Sequence, residues 1–233
     1  MSATAYGIYT KAHERALSFV DGQGRREYNK LRAAVVFETA AIDSYFRVKI
    51  ISFIKKEREK KSFQLSSTAT NLLKDAIALR IFSKQFKDLN REQKELITNS
   101  LDSNKPSITG YLEKAISRES FQSIDKIGEA FKVMGLTSPQ EVWSRIQTAI
   151  NTGKSIKKNK IGRPRVNRGG RKADVKIQLG NMFIKRHLIV HEADIVLRGR
   201  KSVGEERQIS YNTVKRWLAS SKKTIEQIDN LIS

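Results

Sequence analysis

Residues 28–58, YNKLRAAVVFETAAIDSYFRVKIISFIKKER, decide the fold class. Leu31, Val35, Ile42, Tyr45, Phe46, Phe53 and Ile54 recur at three- and four-residue spacing, with Lys49 as the exception on the stripe. That period is a helix with one face turned inward; a half-buried strand alternates every second residue. The tail that follows, KKEREKKS at 55–62, is solvated charge.

Outward from this helix the same period recurs. It predicts helices over 68–84 and 90–101, a break at Asn104, Lys105 and Pro106, and a short helix over 108–117. A helix near 122–134 stops at Gly135, where a left-handed residue closes the last turn. Ser138, Pro139 and Glu141 form an S-x-x-E start with proline at the first helical position, and that helix runs to about 151. Periodicity resumes near Ala173 and continues through Val196, a polar loop covers 199–208, and a last helix runs from Ser210 to Ile232. No strand and no internal repeat is expected. The fold class is all-α, a helical bundle occupying residues 1–233 as one domain.

With 39% hydrophobic residues the chain can bury a core. It has no cysteine, which removes disulfides, thiolate zinc sites and thiol nucleophiles. The opening, MSATAYGIYTKAHERALSF, lacks the apolar stretch of a signal peptide, and no window reaches the roughly 18 apolar residues of a membrane span. A soluble, cytoplasmic protein without membrane partners is expected.

Charge is the first functional clue. Forty-five Lys and Arg against 24 Asp and Glu give a net charge of +21. Residues 1–150 hold 25 cations against 17 acids, and residues 151–233 hold 20 against 7. Such a field draws polyanions. Its densest part, KSIKKNKIGRPRVNRGGRK at 154–172, has nine cations, no acid and almost no bulky apolar residue. A membrane-surface helix would carry a bulky apolar face, so nucleic acid is the better ligand. The stretch reads as a mobile basic loop in which Lys157, Lys158, Lys160, Arg163, Arg165, Arg168, Arg171 and Lys172 are candidate phosphate contacts. Gly162-Arg163-Pro164-Arg165 resembles an AT-hook core, with Ile161 where that motif carries arginine. Both RNA and DNA therefore stay open as the loop's ligand.

The candidate chemistry lies in KRHLIVHEAD, 185–194. Two of the chain's three histidines, His187 and His191, fall here beside Arg186. Cutting RNA by internal transesterification needs a base for the 2′-hydroxyl proton, a cation on the non-bridging oxygens and an acid for the leaving 5′-oxygen. Histidine near pH 6.5 serves either proton role. Arginine stays charged and its planar fork suits phosphate. No metal or other cofactor is required, and DNA, lacking the 2′-hydroxyl, is not a substrate for this route.

Arg186, His187 and His191 give R-(N/D/H)-x-x-x-H, which resembles the R-x4–6-H signature of HEPN ribonucleases. The stretch ETAAIDSYFR (38–47) resembles the first-helix pattern of the RiboL-PSP-like group of that family, and SFQSIDKIGEAFKVMGL (120–136) its middle segment. IVHEAD and the helix from Ile209 resemble the end of the domain, so about two-thirds of the chain is covered. Arg47 departs from relatives that carry histidine near that position. The resemblance implies a HEPN-type bundle, a metal-independent endoribonuclease used as a toxin or in phage defence, and restraint by an antitoxin or regulatory partner. It also implies a homodimer in which two motifs meet in one cleft. On a regular helix positions 186 and 191 stand about 140° apart, so one chain alone does not bring them to one face.

The roles that follow are His191 as base or acid, Arg186 as phosphate clamp and His187 as polar support. Glu38 and Asp43 on the long helix, and Glu192 and Asp194 beside the motif, are candidates for orienting them. The plain alternative for Glu38 and Glu192 is a solvated helix face, and for Asp43 an internal salt bridge. Trp143 and Trp217 sit at core spacing and read as packing residues. His13 lies in a plain N-terminal segment with no evident role. The competing functions are a non-catalytic dimeric nucleic-acid-binding protein and an accessory subunit of a defence complex.

Overall fold

The structure, a computed structural model, describes residues 4–20, 28–58, 67–82, 84–102, 116, 119–136, 138–153, 174–191, 195–198, 201–206 and 209–232. Among these residues there are eight α-helices, one 3-10 turn and one β-hairpin. In chain order the helices are α1 (Ala5–Ser18), α2 (Tyr28–Arg58), α3 (Ser67–Phe82), α4 (Arg91–Asp102), α5 (Ile124–Val133), α6 (Pro139–Thr152), α7 (Val175–His191) and α8 (Tyr211–Ile232). The 3-10 turn is Phe86–Asp88, and the strands are β1 (Ile195–Arg198) and β2 (Lys201–Glu206). The expected short helix at 108–117 lies, apart from Ile116, outside the described residues.

The chain divides into two compact units. The first comprises Met1–Tyr45, Gln122–Ile124 and Gln140–Ser233; the second comprises Phe46–Phe121 and Asp125–Pro139. In the first unit α8 packs against both α1 and α7. Val214, Leu218, Ile225, Ile228 and Leu231 of α8 are buried, as are Leu31, Val35 and Ile42 of α2. Side chains of this size contribute roughly 1.5–3 kcal/mol each when fully buried. In the second unit Phe46 lies 6.0 Å from the Phe121 ring and 6.1 Å, edge-on, from Phe131. Ile50, Ile54, Ile97 and Ile127 are buried in the same unit.

Helix ends follow local chemistry. Gly135, at φ +80°, ends α5: its N–H donates to the Lys132 carbonyl and the Leu136 N–H to the Phe131 carbonyl. This paired closure needs the left-handed conformation that glycine adopts without strain. Asp174 caps α7, its Oδ1 accepting from the Lys176 N–H at 2.8 Å, while the Val175 N–H donates to Gln147 Oε1 of α6. Ser210 caps α8 by accepting from the Thr213 N–H at 3.1 Å.

Two expectations are corrected. The period expected to carry a helix through Val196 ends at His191, and an antiparallel hairpin stands where a polar loop was expected. Leu197 pairs with Ser202 and Arg198 with Lys201, with an irregularity between Ile195 and Leu197. The β-branched Ile195, Val196 and Val203 favour extended backbone and carry a χ1 cost in a helix. The all-α class thus holds with this one hairpin added. The second correction is at the N-terminus, where the segment read as plain is α1. Thr4 caps it, its Oγ1 accepting from the Gly7 N–H, and Ala5, Tyr9, His13 and Ala16 are its buried stripe.

Candidate functional site

The motif helix α7 owes its placement to one face. Val175, Leu179, Met182 and Phe183 are buried, and a Cβ on Gly180 would stand 3.5 Å from Ile124 Cγ1, so the helix lies close against that residue. The opposite face carries two outward isoleucines, Ile177 at 60% and Ile184 at 62% exposed, with the exposed Asn181 between them. Val190, near the helix end, is 46% exposed. Single exposed apolar residues are ordinary, but here two β-branched residues occupy one outward stripe at a seven-residue interval.

Arg186 follows the buried line of the helix one turn past Met182 and is half-buried. Its guanidinium has no ion pair or hydrogen bond among the described residues. His187 is exposed, at the border of the outward stripe. His191 is the last residue of α7 and is described by that place alone. Because α7 is an α-helix through His191, positions 186 and 191 keep their separation of about 140°. The candidate phosphate contacts at 154–172, and Glu192 and Asp194, lie outside the described residues.

A second polar constellation lies inside the first unit, joining the candidate Glu38 to His13, for which the sequence shows no evident role. Glu38 is fully buried, not on a solvated face. Its Oε1 accepts from the Tyr9 hydroxyl at 2.7 Å and from the Ser221 hydroxyl, and its Oε2 pairs with His13 Nδ1 at 2.7 Å. Three helices, α1, α2 and α8, therefore meet on one carboxylate. The Tyr9 and His13 rings stack at 5.6 Å, and Tyr45 meets Tyr9 edge-on at 6.2 Å and donates to Asp229 Oδ1. Burial, and then the Glu38 charge, push the Tyr9 hydroxyl well above its ordinary value near 10. Burial and then Asp229 do the same to Tyr45.

These bonds commit Glu38 to Tyr9, His13 and Ser221, and no bond from it to Arg186 or His187 is observed among the described residues. Asp43 is buried on α2, between Glu38 and Tyr45 in sequence. Both burials, of Glu38 and of His13, had a signal in the sequence. Glu38 falls on the inner stripe between Val35 and Ile42, and His13 is four residues from Tyr9 and three from Ala16. A polar residue on an inward stripe announces a buried partner. Trp143 is buried, as expected, and Trp217 is half-buried.

Comparison with known proteins finds no matching family model, no matching curated protein and no matching solved structure. No helix among the described residues is long and apolar enough to cross a membrane.

Proposed function

We propose that this chain is a metal-independent endoribonuclease acting as a homodimer, with Arg186 and His191 at the reacting phosphate. The observation that carries it is the state of Arg186: a guanidinium with no ion pair among the described residues, next to an exposed His187 on the helix that His191 closes. A structural arginine in this position would be expected to neutralise an acid. One without such a partner suits an anionic ligand.

Arg186 holds the non-bridging oxygens as charge builds on them. One histidine removes the 2′-hydroxyl proton, the 2′-oxygen attacks phosphorus, and a protonated histidine donates to the leaving 5′-oxygen. The products are a 2′,3′-cyclic phosphate and a 5′-hydroxyl. The 140° between positions 186 and 191 favours a cleft shared by two copies, and the outward Ile177 and Ile184 supply an apolar contact of the kind such a dimer needs. The HEPN resemblance supports a toxin or phage-defence setting, held in check by an antitoxin or regulatory partner.

The test is cleavage of a labelled single-stranded RNA in EDTA by wild type and His191→Ala side by side. Cutting that leaves cyclic phosphate ends and falls about 10²–10⁴-fold in the variant is the expected result. If neither protein cuts while both bind RNA equally, the chain is instead a nucleic-acid-binding protein or accessory subunit, a reading favoured by the +21 charge alone.

A further inference from the structure

The last helix has two faces. Val214, Leu218, Ser221, Thr224, Ile225 and Ile228 point into the first unit, whereas Asn212, Lys215, Arg216, Ala219, Lys222, Lys223 and Glu226 are exposed. At 100° per residue the four cations fall within a sector of roughly 120°. They form two rungs, 215/216 and 222/223, about 10 Å apart along the axis.

Helix stability does not account for this arrangement. Stability selects acids in the first turn and opposite charges four residues apart. The first turn of α8 holds no acid, and none occurs in it before Glu226. Glu226 follows Lys222 at i+4, the weaker order for a pair, and no ion pair forms. None of the four cations has an ion pair among the described residues, and Lys215 only lies over the Tyr211 ring at 5.7 Å. Cations elsewhere do find partners where acids stand near them: in the second unit Arg91 pairs with Glu95, and Lys126 with Glu119 and Glu129, whereas Lys84, Lys87 and Lys132 have no ion pair among the described residues.

We propose that the outer face of α8, through Lys215, Arg216, Lys222 and Lys223, binds the phosphate backbone of RNA, as a grip separate from the basic stretch at 154–172. It rests on the reading above only in taking RNA as the polyanion. Unpaired cations at regular intervals on a rigid helix suit a regularly charged polymer, and each contact releases counterions. An acidic membrane is the poorer occupant, because the one apolar residue on this face is Ala219 and the bulky apolar face is already buried.

The experiment measures affinity for a labelled single-stranded RNA by fluorescence anisotropy across a salt series. It uses the full chain and a variant carrying Lys215→Gln, Arg216→Gln, Lys222→Gln and Lys223→Gln. All four sites are exposed and glutamine is a good helix former, so circular dichroism is expected to be unchanged. The expected result is affinity lower by about tenfold or more near 0.1 M salt, with the log–log salt slope reduced by about 3. Each two-residue variant, at 215/216 or 222/223, takes about half of that change, and replacing the three lysines by arginine keeps wild-type binding. Equal affinity and slope in wild type and the four-site variant overturns the proposal. So does a loss confined to phosphatidylserine vesicles with RNA binding intact. Cleavage in EDTA is read on the same samples: absent cutting with stripe-dependent binding removes only the ribonuclease reading, and cutting with stripe-independent binding removes only this one.

Discussion

Two histidine-bearing regions of the first unit treat the same side chain in opposite ways. At the junction of α1, α2 and α8, His13 is buried against a carboxylate that also accepts from Tyr9 and Ser221. Near the end of α7, His187 is exposed beside an arginine that has no ion pair among the described residues. A buried charge must be paired and hydrogen-bonded or it unfolds the chain. A cation that keeps contact with water near a helix end meets far less of that demand. The first region therefore describes how the bundle holds together, and the second describes what it can offer to a ligand.

The strongest challenge to this contrast is Glu38→Ala. It removes the acceptor for Tyr9, His13 and Ser221 at once, and a loss of about 3–5 kcal/mol is expected. Against a typical total of 5–15 kcal/mol that loss moves the urea midpoint far down or leaves the chain unfolded. His187→Ala, measured in the same way, leaves the midpoint where it was. A Glu38→Ala protein that unfolds like wild type would remove the structural role of the junction.

Next in size is the outward stripe of α7. Ile184→Glu places a charge in the apolar contact invoked for the dimer, and a dimer weakened by about 2 kcal/mol, or roughly thirtyfold, is expected by light scattering over a dilution series. The unfolding transition at high dilution is unchanged. A dimer that survives Ile184→Glu with Ile177→Glu is held by another surface.

Tyr9→Phe keeps the ring stacked on His13 and removes one donor to Glu38, so it costs about 1 kcal/mol by urea denaturation. The smallest effect is a slope. Tyr9 and Tyr45 have folded values raised above the ordinary 10, chiefly by burial. Their contribution is fully present below pH 10 and is lost as pH rises through the folded values. The melting temperature is expected to fall as pH rises beyond 10, and less steeply in Tyr45→Phe. Identical alkaline profiles for wild type and Tyr45→Phe would exclude that residue as a source.

Much of this was legible in the chain. The 28–58 stripe, the Gly135 stop, Pro139 as a first helical residue and the Ser210 start of the last helix all rest on local chemistry, and the observed ends agree within a few residues. The failures share a cause. Residue type alone gives His13 no role and leaves Glu38 between an orienting acid and a solvated one, although both positions lie on inward stripes. The hairpin at 195–206 was missed because β-branched residues directly after a helix continue its apolar pattern over so short a run.

Periodicity, caps and glycine placement act within a few residues of themselves, so the sequence by itself determined a basic, helical chain and the limits of most helices. It also placed Arg186, His187 and His191 on one segment. Which polar residues are spent on the fold was decided only by tertiary structure. Glu38 meets His13 from 25 residues away and Ser221 from 183, and no local rule couples positions so distant. Burial then fixes the outcome: a carboxylate removed from water must find its donors wherever in the chain they lie.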